Sequence, residues 1–198
     1  MIIAIAGMSG SGKNTVGELV AKMLKLRAVE YTFKDYARDM GIDLMEFQKM
    51  AREDETIDRG FDKRVVADAK KGKCVVTTWL GPWTVKKADL RVWLDAAEET
   101  RAKRIAKREK MSARAALAHL KTRDSDNIAR YKKLYGVDIT DKGIFDLIIR
   151  TDHILPQDIA DAIVLTAKSK ANFRKNSPAS KSANPNQTRK SKSRKRCV

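Results

Sequence analysis

The chain has 198 residues, of which 42% are hydrophobic and 34% are charged, enough for one globular domain with a sizeable core. No apolar run approaches the roughly 20 residues of a membrane-spanning helix, and the first residues do not resemble a secretory leader. We therefore expect a cytoplasmic protein with no membrane contact. Its cysteines, Cys74 and Cys197, offer neither a disulfide framework nor the spacing of a zinc site.

The formal net charge of +17 is concentrated at the C-terminal end. Of the 42 basic residues, 11 lie in residues 168–198, which contain no acid, so residues 1–167 carry only about +6. The last segment is rich in Ser, Asn and Pro and has no apolar periodicity, so burial cannot offset its ordering entropy. We expect a folded domain over 1–167 and a disordered basic tail over 168–198. The tail either contacts RNA or DNA non-specifically or is only a solubilising extension.

The first half of the chain predicts a strand, a glycine-rich loop and then helices. Residues 1–6 are a short apolar run ending at Gly7, typical of a buried parallel strand, and residues 13–25 repeat apolar residues at helical spacing. Asp43 is a plausible N-cap for a later helix. Further helices are predicted over 33–40, 44–52 and 56–71.

The second half continues the alternation of strands and helices. Strands are predicted over 73–78, 90–94 and 145–150. Residues 98–135 indicate an almost continuous helix dense in Arg and Lys, and residues 157–167 a closing helix. Short buried strands between helices predict a three-layer α/β fold with a parallel sheet, whose ligand site lies at the carboxyl ends of the strands.

The segment G-M-S-G-S-G-K-N-T, which begins at Gly7, carries the strongest functional signal. Its glycines let successive backbone N–H groups turn inward around a phosphate, and the helix that follows presents its positive end. Lys13 can reach the β- and γ-phosphates of a nucleotide. The general pattern places Ser or Thr directly after the lysine to face Mg²⁺, whereas here Asn14 comes first and Thr15 follows. The predicted phosphate-binding residues are Gly7, Met8, Ser9, Gly10, Ser11, Gly12, Lys13, Asn14 and Thr15.

This G-x-x-x-x-G-K-x-T form resembles nucleoside monophosphate kinases, and other segments resemble the archaeal cytidylate kinase family in order and spacing. They are D-L-M-E-F from Asp43, I-D from Ile57 with D-K-R from Asp62, A-D-L-R-V-W-L from Ala88, R-A-K-R-I-A-K-R-E from Arg101 and R-Y-K-K-L-Y-G-V-D-I from Arg130. The resemblance covers about residues 1–167. It implies a P-loop kinase fold with acceptor-binding helices and a helical lid, ATP as donor, Mg²⁺ at Thr15, and CMP or dCMP as acceptor.

Phosphoryl transfer gathers several negative charges, so it needs cations around the transferred group. Arg101, Arg104 and Arg108 share one helix edge, and Arg123 and Arg130, seven residues apart, share a second. The resemblance implies that such arginines surround a mobile lid and grip phosphates as it closes. For any single arginine the alternative is a solvated helix face. The predicted catalytic residues are Lys13, Arg104, Arg123 and Arg130.

Residues 31–64 correspond to the acceptor-binding helices of the family. Lys34 stands where much of the family has an arginine, which keeps the charge but loses the bidentate fork. Asp58 and Asp62 are candidates for contacts to the base or sugar of the acceptor; the alternative is that they are surface carboxylates paired with basic neighbours. The predicted substrate-binding residues are Lys34, Asp58, Asp62, Arg64 and Trp79.

Trp79 departs from the family pattern, because it occupies the place of an arginine that touches the acceptor phosphate. Losing that cation would weaken acceptor binding by about 1.5 to 3 kcal/mol unless another cation substitutes. The indole can instead stack on a base or pack in the core. The alternative to an active CMP kinase is therefore a nucleotide-binding protein that has lost its acceptor and uses its tail to bind nucleic acid. The arginine edges favour the enzyme, since a switch needs no second phosphate clamp.

Overall fold

A computed structural model describes residues 1–29 and 31–176, which form an α/β fold around a five-stranded sheet. The strands are β1 (Ile2–Ala6), β2 (Arg27–Val29), β3 (Cys74–Val76), β4 (Leu90–Asp95) and β5 (Leu147–Arg150). They lie in the order β2-β3-β1-β4-β5, and every neighbouring pair is parallel. β1 is therefore central, and the loop that follows it begins in the middle of the sheet edge where parallel α/β folds bind ligands.

Helices cover both faces of this sheet, so the predicted three-layer α/β fold is confirmed. They are α1 (Lys13–Leu24), α2 (Phe33–Asp39), α3 (Leu44–Glu53), α4 (Glu55–Lys70), α5 (Gly81–Thr84), α6 (Glu98–Glu109), α7 (Ala113–Tyr135) and α8 (Pro156–Asn176). α1 and α8 pack on one face, and α4 packs on the other. No helix in the described residues is both long and apolar enough to cross a membrane.

The central strand is buried on both faces, which explains its uninterrupted apolar run. Ile3 and Ile5 pack with α1 and α8, whereas Ala4, between them, packs with α4. All three side chains are fully buried. A strand buried on both faces needs no alternation of apolar and polar residues. The glycine-rich loop follows directly from the end of this strand.

Two local features differ from the prediction. The helix expected over 98–135 is broken into α6 and α7, because Lys110 adopts a left-handed conformation with φ 54° and Ser112 then caps α7. The Ser112 side chain accepts the N–H of Ala115 at 3.2 Å. β2 was not predicted, since its three residues are too few to show a strand period. The cap at Asp43 is confirmed, with Met45 N–H donating to its carboxylate at 2.8 Å.

The closing helix is longer than expected, since α8 continues to Asn176. The prediction that disorder begins at residue 168 is therefore wrong for residues 168–176. Ion pairs hold this extension, with Lys170 bound to Asp146 and Arg174 bound to Asp89. The rest of the predicted tail, residues 177–198, lies outside the described residues.

Candidate active site

A cleft of about 270 Å³ opens where β1 and β3 end. Its walls come from the glycine-rich loop, α2, α4, the segment after β3 and the α6–α7 hairpin. Of the predicted site residues, it is lined by Ser9, Gly10, Gly12, Lys13, Asn14, Thr15, Lys34, Asp62, Trp79 and Arg123. Arg108, which belongs to the predicted phosphate-gripping edge, also lines it. So do residues that were not predicted, namely Thr32, Phe33, Phe61, Thr77, Thr78, Leu80 and Tyr131.

The backbone of the loop has the form that a phosphate site requires. Gly10 and Gly12 have φ angles of 79° and 91°, in the region that favours glycine. A Cβ at Gly10 would also come within 2.7 Å of the carbonyl oxygen of Arg101. Gly12 is the N-cap of α1 and contributes no side-chain cap, and the first turn carries no acid. The positive end of α1 therefore faces the cleft without a side chain of its own to neutralise it.

A buried ion pair supports this loop from behind. The Asp124 carboxylate accepts from Arg101 Nη1 at 2.5 Å and from the N–H of Ser9 at 3.3 Å. The same Arg101 nitrogen donates to the carbonyl oxygen of Ser9 at 3.0 Å. Both charged residues are buried, with 8% and 7% of their surface exposed. Arg101 therefore holds the loop and does not line the cleft.

Arg104 also contacts the loop rather than the cleft. Its guanidinium donates to the carbonyl oxygens of Ser11 and Thr151, at 3.3 and 2.6 Å, and to the Thr151 hydroxyl at 3.0 Å. These contacts occupy both terminal nitrogens. Arg104, predicted as a catalytic residue, does not line the cleft of this structure, where its hydrogen bonds position the loop. Its catalytic role stays a prediction.

Three cations converge in the cleft, from the loop and from both helices of the α6–α7 hairpin. The pKa of Lys13 is lowered to about 7, mainly by burial and then by the neighbouring Arg123 and Arg108, against the opposing effect of Asp124. Burial, with the nearby Arg108, also lowers the pKa of Arg123, whose Nε is buried with no hydrogen-bond partner. A bound polyphosphate would relieve this repulsion and restore the Lys13 charge.

Two buried carboxylates lie on α4 with different environments. Asp62 lines the cleft and accepts the Tyr135 hydroxyl at 2.7 Å, and burial raises its pKa to about 6. Asp58 forms an ion pair with Arg130 at 2.8 Å, and its pKa is also about 6 because burial outweighs the effect of Arg130. The surface-carboxylate alternative is therefore wrong for both, since Asp58 is 1% and Asp62 7% exposed.

Arg130, Asp58 and Arg64 do not line the cleft, although the first was predicted as catalytic and the others as substrate-binding. The Arg130 guanidinium lies behind the wall, 5.1 Å from the centre of the Phe33 ring, and its pair with Asp58 joins α4 to α7. The Arg64 guanidinium stacks on the ring of Tyr31, with its centre at 3.9 Å. In this structure these residues support or flank the site.

Trp79 lines the cleft and is also packed against its wall. Its indole lies against an apolar cluster that contains Leu80, Tyr131 and Ile139. The Lys13 ammonium is 5.5 Å from its ring centre, within range of a cation–π contact. The interpretation of this indole as a packing residue is therefore confirmed, whereas its stacking on a base stays a prediction.

The residues present fit a magnesium ion that is held mainly by its substrate. The exposed Thr15 lines the cleft at the start of α1. Among the described residues no group of three or more His, Cys, Asp or Glu side chains could hold a metal ion. Mg²⁺ commonly keeps several waters and binds through phosphate oxygens with few protein ligands, so one hydroxyl is compatible with it.

Comparisons with known proteins agree with this geometry. The profile of a family described as cytidylate kinase-like matches residues 2–153. A cytidylate kinase of Pyrococcus horikoshii is 40% identical over 161 residues, which cover 80% of this chain and 84% of that protein. One of Thermococcus kodakarensis is 40% identical over 161 residues, covering 80% and 83%.

The fold also recurs in solved structures. A shikimate kinase from Acinetobacter baumannii, in complex with shikimate, superposes with a TM-score of 0.55 at 18% identity, over 85% of this chain and 93% of that one. That likeness concerns the fold, whereas the sequence matches concern the family. The chain is an enzyme that phosphorylates nucleoside monophosphates, and it belongs to the cytidylate kinase-like family.

Proposed function

We propose that the enzyme transfers the γ-phosphoryl group of ATP to the phosphate of CMP, giving ADP and CDP. One observation carries this proposal: Lys13, Arg108 and Arg123 converge on the uncapped end of α1 in a cleft that α2 and α4 also line. A phosphate nest alone would serve any nucleotide-binding protein. A phosphate-binding loop that is accompanied by further cations and a second wall suits a reaction between two phosphorylated molecules.

The loop is the donor side of this cleft. Its N–H groups and the start of α1 surround the β- and γ-phosphates, and Lys13 stabilises the charge that develops between them. Arg123 and Arg108, on the two helices of the α6–α7 hairpin, approach the same phosphates from the other side. Mg²⁺, held by Thr15 and phosphate oxygens, would supply further charge neutralisation. The residues themselves bind the phosphates, align them and exclude water.

The wall formed by α2, α4 and the segment after β3 is the acceptor side. Phe33 and Phe61 offer ring faces to a base, and Lys34 supplies a cation for the acceptor phosphate. Asp62 is a carboxylate at the cleft that can accept a hydrogen bond from the exocyclic amino group of cytosine. This acceptor group favours CMP over UMP, which has a carbonyl oxygen in that position. The attacking atom is an acceptor phosphate oxygen, which needs little proton removal.

A screen of all nucleoside monophosphates with ATP and Mg²⁺ tests the proposal. We expect CMP to give the highest kcat/KM, with dCMP close to it and UMP well below. The Asp62→Asn variant should lose part of the preference for CMP over UMP, because its amide can donate to a carbonyl oxygen. A higher kcat/KM with AMP or UMP would contradict CMP as acceptor. No transfer to any monophosphate would support the lost-acceptor alternative that Trp79 raises.

We propose in addition that residues 177–198 bind RNA or DNA non-specifically, because they contain 7 Lys or Arg and no acid. The end of α8 gives the boundary for the test. A chain ending at Asn176 should keep its kinase activity, whereas its retention on RNA or DNA should fall well below that of the full chain. Retention of the full chain should also decline steeply with salt. Equal retention by both chains would assign the binding to the folded domain.

A further inference from the structure

Glu109 connects cations from the two sides of the cleft. Lys34, on α2, donates to both Glu109 carboxylate oxygens, at 3.0 and 3.1 Å. Arg108, in the last turn of α6, donates its Nε–H to Oε1 at 3.0 Å. Both cations line the cleft, one from the acceptor side and one from the donor side. A single carboxylate therefore determines the spacing of two groups that face different phosphates.

The geometry leaves each cation capable of a further bond. Glu109 takes the Nε–H of Arg108 and does not use its two terminal nitrogens, which form the fork that binds phosphate oxygens. The Lys34 ammonium has three donors, of which two are directed at Glu109. Both side chains are otherwise long and about 57% exposed, so without the carboxylate they would sample many rotamers.

We propose that Glu109 is a positioning residue for phosphoryl transfer, acting through Lys34 and Arg108 to hold the acceptor-side and donor-side cations in register. This inference rests on the proposed function, since it assigns the two cations to the two substrates. Glu109 itself contacts neither reacting group in this role. It is one point at which the α6–α7 hairpin meets α2.

Such a role predicts a loss in kcat rather than in affinity. Alignment of the two phosphates matters most in the transition state, so freeing the cations slows the chemical step. Removing a negative charge beside a phosphate site strengthens the attraction of the remaining cations for anions, which offsets the lost order in the ground state. We therefore expect the loss of this carboxylate to lower kcat and to leave substrate affinity unchanged or higher.

A second ion pair provides a matched control. Arg52 on α3 binds Asp126 on α7, so it also joins the acceptor-side helices to the hairpin. Neither of these residues lines the cleft. Asp126→Asn therefore weakens a mechanical connection of the same kind without touching a cleft cation, while Glu109→Gln changes the carboxylate that holds Lys34 and Arg108.

The experiment measures steady-state transfer from ATP to CMP by the full chain, with calorimetric binding of ADP and CMP to count intact sites. Glu109→Gln should lower kcat about tenfold, with KM unchanged or lower and a binding stoichiometry near that of the wild type. Asp126→Asn should keep the wild-type kcat. An unchanged kcat in Glu109→Gln, an equal loss in Asp126→Asn, or a raised KM at constant kcat would each overturn the proposal. No transfer by the wild type would overturn the proposed function and this inference with it.

Discussion

The buried pair between Arg101 and Asp124 offers the sharpest test of how the phosphate-binding loop is held. Replacing Arg101 with Leu removes the partner of a carboxylate that is only 7% exposed. It also removes the hydrogen bond to the carbonyl oxygen of Ser9. The remaining contact of Asp124, with the Ser9 N–H at 3.3 Å, is too weak to compensate for a buried charge.

Arg101→Leu should therefore strongly reduce the free energy of unfolding. Leaving one member of a buried ion pair without its partner costs about 3 to 5 kcal/mol of unfolding free energy. For a domain of this size that corresponds to a fall in Tm of roughly 6 to 20 °C. Arg101→Leu/Asp124→Leu should recover most of the loss, because no lone charge stays buried. The exposed Arg108–Glu109 pair gives the control, and Arg108→Leu should change stability by less than about 1 kcal/mol.

Urea denaturation followed by far-UV circular dichroism, with linear extrapolation to water, measures these differences. Nucleotide binding to each folded variant completes the comparison. A loss below about 1 kcal/mol in Arg101→Leu would refute a supporting role for the pair. Unchanged stability with lost nucleotide binding would instead restore Arg101 to the phosphate-gripping edge that helical periodicity predicts.

Three further predictions concern the cleft itself. Lys13→Met should abolish phosphoryl transfer without lowering the melting temperature, since the residue lines the cleft at the start of α1 and its charge is disfavoured there by burial; activity in a folded variant would remove this lysine from the mechanism. Because the pKa of Asp62 is raised to about 6, the folded state binds its proton more readily than the unfolded state, and this carboxyl makes stability fall as pH rises from about 4 to 6. Asp62→Asn should flatten that decline in urea titrations at several pH values, and an unaltered slope would contradict the shift. Trp79→Arg should lower the acceptor KM with a smaller effect on kcat, because it adds a cation at the acceptor phosphate. It should also reduce the melting temperature, because the packing against Leu80 is lost. An unchanged or higher KM would show that the indole does not occupy the place of a phosphate ligand.

The parts of the site that follow from local sequence were predictable. The apolar run, the glycine spacing and the amphipathic helix after Lys13 are all signals within about 25 residues, and together they place the loop at the end of a central strand. The capping of α3 by Asp43 is local in the same sense. These features depend on backbone geometry, which nearby residues determine.

The roles of the arginines could not be predicted, because their partners are distant in sequence. Periodicity correctly places Arg101, Arg104 and Arg108 on one helix edge, yet only Arg108 lines the cleft. Arg101 pairs with a carboxylate 23 residues away, and Arg104 binds Thr151, 47 residues away. Helical phase gives the direction of a side chain but not its depth beneath a loop. The same limit applies to Asp58, whose burial depends on a pair with α7.

The end of α8 and the cleft lie at opposite ends of the strands. Arg174 binds Asp89, which directly precedes β4, whereas the cleft opens at the other ends of the strands. Six residues of β4 correspond to about 20 Å between these two ends. The end of α8 at Asn176 therefore lies on the side away from the cleft, so an attachment at this residue leaves the cleft open to nucleotides. A chain that ends at Asn176 and is immobilised there should therefore turn over like the free enzyme.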